Sequence, residues 1–333
     1  MHLSLLGLLC CPDDGSHPLE LRAEAGGLGD GEVGTGELAC AACGRAFPIR
    51  DGIPVLLPKS ISPVPREHPR RDRVARDKLS EMRTRDRRAW VWGDSGYQDA
   101  LEIPATLAAL EPGAADRVLD AGCGTGRMVE HYAPRCREVV AVDFSFHSLL
   151  AARERCAHLG ANLHLAQADV CHMPFLARAF DRALSSQVLQ HLPHDGQQRR
   201  AVAELARVLK PGGRCCVSAY NHSLRKRLRH LLRRPDCAKQ GYHWGDAIYY
   251  YNFTAPEIRA LLGAHFRLHR LKGIGRQLPL RRLGRLGLHI ESSLQRLPVS
   301  LLTGDLLLAV CSLPPRCRPP RGSPGGTRRP SSS

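Results

Sequence analysis

Three acidic residues stand where strand-like runs end, and a glycine-dense turn follows the first. Residues 118–128 read VLDAGCGTGRM, with Asp120 closing an apolar run and Gly122, Gly124 and Gly126 at alternate positions. Asp143 closes EVVAVD, 23 residues after Asp120, and Asp169 closes NLHLAQAD. Glycines leave the backbone bare, so a ligand can lie against it at the C-terminal edge of a sheet. A carboxylate at the second strand end can accept both hydroxyls of a ribose. One at the third can accept from an exocyclic adenine amine while Val170 packs on the ring. Asp120 can face an ammonium group or orient the turn. Any one of these acids alone reads as a helix cap; three in register point to a nucleoside with a cationic tail. A dinucleotide fits less well, because its turn wants G-x-G-x-x-G and Arg127 occupies the third glycine's place.

The elements that must position these acids alternate in type. RVLD reads as a buried strand, the turn leads into a helix to about Ala133, and EVVAVD is a second strand. SFHSLLAARERCAHLG is helical to Gly160, and NLHLAQAD, DRALSSQV and RCCVSAY are three further strands. A helix in GQQRRAVAELARVLKPGG separates the last two and stops at Pro-Gly-Gly. Strand–helix alternation of this kind predicts an α/β fold with a parallel, doubly wound sheet. Further on, Thr254 and Glu257 form a capping box that opens a helix, and FRLHRLK and DLLLAVCSL read as two final strands.

Composition limits what surrounds that sheet. A chain of 333 residues, 43% hydrophobic, can bury one full core and a small second domain. No apolar stretch approaches the roughly 20 residues of a membrane helix, so no transmembrane segment is expected. The start, MHLSLLGLLCC, has no basic residue before its short apolar run, and Leu9 precedes Cys10 where a small residue would be required, so it does not read as a secretion signal. Thirteen cysteines, odd in number and scattered through strands and helices, suit free thiols and a cytoplasmic location. The net charge of +16 is uneven: residues 221–300 hold 16 Lys or Arg against 4 Asp or Glu, a net +12. That stretch is expected to meet something anionic.

Together VLDAGCGTG, VVAVDFS, AQADVCHMPF, FDRALSSQVLQHL and ELARVLKPGGR resemble the class I S-adenosylmethionine-dependent methyltransferases, in that family's order and spacing. The resemblance covers about residues 80–313. It implies a Rossmann-like, seven-stranded sheet closed by an antiparallel hairpin, with S-adenosyl-L-methionine as cofactor. Asp120, Gly122, Cys123, Gly124 and Gly126 would line the methionine part, Asp143 with Phe144 the ribose side, and Asp169 with Val170 the adenine. Gln187 would lie near the reacting end.

Methyl transfer from a sulfonium is an in-line displacement that needs alignment and desolvation, and a base only where the nucleophile holds a proton of high pKa. His191, just past the fourth strand, is the candidate base, and Tyr220 a candidate beside it; a histidine there can equally be structural. Tyr220, Asn221, His222 and the aromatic cluster of residues 242–253 are candidates for a substrate lid or for packing. No Asp/Asn-Pro-Pro-Tyr segment stands at SSQVLQ, which disfavours amide or exocyclic amine methylation of that type, and no cysteine stands there for attack on a pyrimidine C5.

The first 58 residues form a separate unit. LLCCPDD with LACAACGRAFPIRDGIPVLLP resembles a small β-rich, zinc-ribbon-like domain, found as a free bacterial protein and as an activating subunit of methyltransferases. A full zinc site would be Cys-Pro-x-Cys plus Cys-x-x-Cys. Here Asp14 stands in the second cysteine's place, so the candidate structural zinc set is Cys11, Asp14, Cys40 and Cys43, against a domain held without metal by its apolar strands. Residues 59–79 read as a linker, 80–313 as the methyltransferase domain with a basic insertion at 221–253 and a basic segment at 275–298, and 314–333 as a disordered tail. Two basic, leucine-bearing segments suit RNA phosphates or an anionic membrane surface. The leading expectation is methylation of an RNA, such as a tRNA. The alternatives are a small lipophilic acceptor such as a quinone or secondary metabolite, and a cofactor-binding scaffold without catalysis.

Overall fold

The computed structural model describes residues 1–22, 27–28, 31–61, 73–88, 96–193, 195–232, 238–243, 248–275, 278 and 280–315. The 314–333 tail therefore lies almost wholly outside the described residues, as do the tip of the aromatic cluster and most of the linker.

The front unit opens with a 3-10 helix, Leu3–Leu8, followed by β1 (Leu19–Arg22), the two-residue pair β2 (Gly27–Leu28) and β3 (Glu32–Val33), and β4 (Gly36–Cys40), β5 (Ala46–Arg50) and β6 (Ile53–Leu56). The helix α1 (Arg73–Arg88) takes up the end of the expected linker, and α2 (Tyr97–Leu110) precedes the sheet. Next come β7 (Arg117–Ala121), α3 (Val129–Tyr132), β8 (Glu138–Asp143), α4 (Phe146–Arg155), β9 (Leu163–Ala168), β10 (Phe180–Ser186), α5 (Asp195–Val208) and β11 (Leu209–Tyr220). The chain continues through α6 (Leu224–Leu231), the hairpin β12 (Gln240–His243) and β13 (Ile248–Tyr251), α7 (Ala255–Gly263), β14 (Arg267–Ile274), α8 (Gly284–Leu294), α9 (Ser300–Thr303) and β15 (Leu306–Ser312).

Eleven of the described strands make one sheet, in the order β1-β4-β5-β6-β9-β8-β7-β10-β11-β15-β14. From β9 to β14 this is the seven-stranded, doubly wound arrangement read from the sequence: β9, β8, β7, β10 and β11 run parallel, and β15 inserts antiparallel between β11 and β14. The sheet is larger than expected because β6 pairs in parallel with β9, Val55 opposite Gln167 and Leu56 opposite Ala168. The front unit thus closes the edge that β9 would otherwise expose, and an open strand edge is a site of unwanted pairing.

The cores on the two faces explain why these segments fold together. On one face Leu5, Leu9, Leu38 and Phe47 of the front unit are continuous with Phe175, Phe180, Val202 and Leu205, all buried. On the other, α2, α3 and α4 pack Leu110, Tyr132 and Leu149 over Val118, Val139 and Leu184. The helix after the glycine turn is shorter than expected, α3 giving way to a 3-10 turn at Ala133–Arg135. Likewise α4 ends at Arg155, and Gly160, with φ of 66°, lies in a kinked 3-10 segment beyond it. The Thr254–Glu257 capping box is present, with the Thr254 amide donating to Glu257 Oε2 at 2.7 Å.

Candidate functional site

The C-terminal ends of β7, β8, β9 and β10 converge on a cavity of about 340 Å³. Asp120, Gly122, Cys123, Gly124, Asp143, Phe144, Asp169, Val170, Gln187, His191 and Tyr220 all line it. Gly126 does not, and the three glycines have different reasons to be glycine. A Cβ on Gly122 would stand 2.3 Å from a Val188 methyl, and one on Gly126 would stand 3.1 Å from Cys156 Sγ; around Gly124 there is nothing within 4 Å. Gly122 and Gly126 therefore serve close packing of the turn, and Gly124 leaves open space. All three have positive φ, which strains any other residue.

Asp143 holds that turn in place. One carboxylate oxygen accepts from the Gly124 amide at 2.9 Å and the other from Ser145 N at 2.9 Å. Asp120 is arranged differently. Its Oδ2 accepts from the Tyr132 hydroxyl at 2.7 Å, while Oδ1 is buried with no hydrogen-bond partner among the described residues. Burial pushes its pKa up to about 7, the Tyr132 hydrogen bond only partly opposing it. A buried carboxylate oxygen without a partner costs on the order of 1–3 kcal/mol, and a ligand ammonium would relieve that cost.

Asp169 is already engaged. Its Oδ2 takes the Lys78 ammonium of α1 at 2.6 Å and lies 3.1 Å from His172 Nδ1, and its Oδ1 accepts from Cys171 N. These hydrogen bonds and the Lys78 charge overcome the burial penalty and hold the carboxyl well below the usual range. The expected role of a free acceptor for an adenine amine is thereby altered: the carboxylate is first of all the anchor of α1.

Two helices that the motifs did not bring in complete the wall. From α1 come Lys78, Glu81 and Arg85, the last donating from Nε to Glu81 Oε1 at 2.8 Å. From α2 come Gln98, Asp99 and Glu102. Glu102, 1% exposed, receives Arg127 at 3.0 Å and the Gln187 amide at 2.9 and 3.0 Å. Gln187, with φ of 56°, is held by this carboxylate at the end of β10. Arg127, which displaces a dinucleotide glycine, also pairs with Asp99 at 2.6 Å and so ties the turn to α2. A charged residue at position 102, among Leu101, Ala105, Thr106 and Ala109 of one buried face, was the available sequence signal.

His191 sits on the 3-10 turn Leu189–His191, with Nδ1 2.8 Å from the Tyr249 carbonyl and its ring edge-on to Tyr220 at 5.6 Å. A carbonyl only accepts, so Nδ1 carries the proton and Nε2 the lone pair. Burial first, and the Arg85 charge second, push its pKa down to about 3. A group so shifted is a weak base at neutral pH, which weighs toward the structural role also expected of this histidine. Burial likewise raises the Tyr220 phenol, which stays protonated. These two side chains offer shape and hydrogen bonding.

In the front unit the sulfurs of Cys11, Cys40 and Cys43 lie within 4.8 Å of one another. Asp14 does not join them, since its carboxylate accepts from Ser16 N and His17 N at 2.8 and 3.0 Å and meets His17 Nδ1 at 2.9 Å. The expected fourth ligand is therefore spent on its own turn. Three thiol donors at this separation are residues that could hold a zinc ion, which would supply structural cross-linking of the front unit.

A glycine turn after the first strand of a doubly wound sheet, with acids at successive strand ends, is a nucleotide-binding arrangement of Rossmann-like domains. In agreement, residues 118–213 match the family described as "Methyltransferase domain" and residues 2–52 the "Trm112p-like protein" family. The chain carries a class I methyltransferase domain behind a Trm112p-like domain. It is 36% identical over 119 residues to a demethylmenaquinone methyltransferase of Thermobifida fusca, covering 35% of this chain and 49% of that protein. It is 43% identical over 97 residues to a malonyl-[acyl-carrier protein] O-methyltransferase of Salmonella typhimurium, covering 29% and 36%. The matched segments thus span half or less of those relatives. A complex of the Haloferax volcanii Trm112 methyltransferase activator with a putative methyltransferase shares the fold, with TM-score 0.51, 16% identity, and coverage of 72% of this chain and 98% of that one. So does a Burkholderia thailandensis 1,6-didemethyltoxoflavin-N1-methyltransferase bound to S-adenosylhomocysteine, with TM-score 0.50, 19% identity, and coverage of 75% and 94%.

Proposed function

We propose that the protein transfers a methyl group from S-adenosylmethionine to a small lipophilic acceptor. One observation carries the donor assignment: the unpartnered Asp120 Oδ1, buried at the wall of a cavity whose floor is the open Gly124. That pairing suits an amino acid ammonium beside bare backbone. When bound, the donor supplies a methyl on sulfonium, a leaving group that needs no protonation. Asp120 holds the ammonium, Asp143 faces the ribose while clamping the turn, and Glu102 fixes Arg127 and Gln187 so that α2 closes the side of the cavity. Phe144, Val188, Leu192 and Pro193 give apolar walls that exclude water. At the far end, His191 Nε2 and the Tyr220 hydroxyl orient the acceptor. Neither is a strong base, so the reading favours an acceptor atom that is already nucleophilic, such as an ionised oxygen or an activated carbon.

The lipophilic class is favoured by the exposed leucines of α6, the helix that begins four residues after Tyr220 and sets Lys226 5.3 Å from its ring. RNA remains a second reading, because the same flank is strongly basic and the Trm112p-like domain accompanies methyltransferase partners. Labelled S-adenosylmethionine incubated with the full chain and either a lipid extract or total RNA separates them: the lipid fraction should take up label. Label in RNA alone overturns the acceptor assignment, and label in neither, with tight donor binding, overturns catalysis.

A further inference from the structure

Beyond Tyr220 the chain carries an apolar surface that none of the described residues covers. In α6 no residue is buried. Leu224, Leu228, Leu231 and Leu232 are 49%, 54%, 77% and 76% exposed. Their spacing of four, three and one places them on one helical face, with Arg225, Lys226, Arg227 and Arg229 on the others. Eight residues do not hold a helix in water unaided. Here the start is pinned from outside: Asn221 Nδ2 donates to the carbonyls of Leu301 and Gly304, and Arg225 pairs with Asp305. These ties set α6 against α9, whose neighbourhood adds exposed Leu297, Val299 and Leu302. Farther along, α8 and its approach expose Leu283 and Leu286, each directly after an arginine, Arg282 and Arg285.

The surface adjoins the site. α6 begins four residues after Tyr220, and the Lys226 ammonium lies 5.3 Å above the Tyr220 ring. α8 packs on α2, where Tyr97 Oη lies 3.5 Å from Glu291. Exposed leucines on one helical face, edged by cations, mark an interaction face rather than a solvated coat.

We propose that α6, with the α8–α9 corner, docks this protein on an anionic lipid membrane so that the acceptor end of the cavity opens at the bilayer surface. Charge complementarity selects the occupant: residues 221–300 carry a net +12, and anionic headgroups supply the opposite sign. Leucines select lipid over RNA. Phosphate contacts use the cations alone, whereas an interfacial helix buries a leucine face beneath a cationic one. The orientation rests on the methyltransferase reading above; the docking itself does not.

Vesicle co-sedimentation of the full chain, without methyl donor, tests it. Wild type should bind vesicles containing phosphatidylglycerol at least about tenfold more tightly than vesicles of phosphatidylcholine alone. Leu228→Asp with Leu231→Asp should abolish that binding. Arg282→Gln with Arg285→Gln should weaken it and flatten its salt dependence. All these positions are exposed, so thermal unfolding and S-adenosylhomocysteine binding should match wild type in each variant. Wild type that ignores anionic vesicles, binding that survives the paired leucine changes, or tight capture of tRNA in place of vesicles would overturn the proposal. S-adenosylhomocysteine binding, measured separately on the same preparations, keeps that outcome distinct from failure of the methyltransferase reading.

Discussion

The two ends of the cavity are built by opposite means. At the glycine-turn end, the groups come from consecutive strand ends and are fixed by main-chain contacts, as where Asp143 spans the Gly124 and Ser145 amides. At the helix end, charged side chains from segments far apart in sequence hold one another: Lys78 reaches Asp169 across 91 residues, and Glu102 reaches Gln187 across 85. The first arrangement is rigid before any ligand arrives. The second is adjustable, because a helix anchored by an ion pair can shift without breaking a strand.

Several changes would break or sharpen that contrast. Lys78→Ala leaves the buried Asp169 carboxylate with only its His172 and Cys171 contacts and no full counter-charge, which costs roughly 3 kcal/mol or more. Calorimetric unfolding should show it as the largest fall in melting temperature, partly restored by adding Asp169→Asn. Next in size is Gly122→Ala, where a Cβ meets Val188 at 2.3 Å and φ is 90°. Strain and overpacking together should cost roughly 3 kcal/mol, read as a lower melting temperature that the donor product does not rescue. Asp120→Asn should leave folding intact and weaken S-adenosylhomocysteine binding by about 10–100-fold, since the paired charge disappears.

The Asp120 pKa also sets a pH dependence with a definite sign. The free carboxyl is raised to about 7 by burial, so below that pH it is mostly protonated and cannot pair with an ammonium. Binding must then release a proton, and affinity should rise with pH up to about 7 and level off above it. Titration calorimetry at a series of pH values checks this, and in Asp120→Asn that rise should vanish. The smallest effect is expected from His191→Gln, which keeps a polar side chain near Tyr220. Turnover should fall by less than about tenfold, and the wild-type pH–rate profile should lack a limb near the ordinary histidine range of about 6.5.

Legibility in the sequence followed the same division. Glycines at alternate positions and acids at strand ends are local patterns, so the parallel doubly wound sheet and the places of Asp120, Asp143 and Gly124 at its edge could be read directly. Cys11, Cys40 and Cys43 were equally readable by spacing, but Asp14 was not, because its capture by Ser16 and His17 depends on the conformation of one short turn. Lys78, Arg85 and Arg127 were hidden among many other basic residues in charged segments whose partners lie far along the chain. The β6–β9 pairing was hidden as well, since FPIRDGIPVLL announces strands but not which edge they join. The position of His191 just past the fourth strand was legible, and the surroundings that set its chemistry were not. Its depressed pKa arises from burial and from Arg85, 106 residues earlier, which no local pattern encodes.

The central claim is that Asp120 and the glycine turn receive the amino acid end of an adenosyl sulfonium. Isothermal titration of the full chain with S-adenosylhomocysteine tests it most directly. The account predicts saturable binding of one equivalent per chain, weakened at least about tenfold by Asp120→Asn and by Asp143→Ala, each folded by circular dichroism. Absence of heat with wild type, or equal affinity in wild type and both variants, would contradict it.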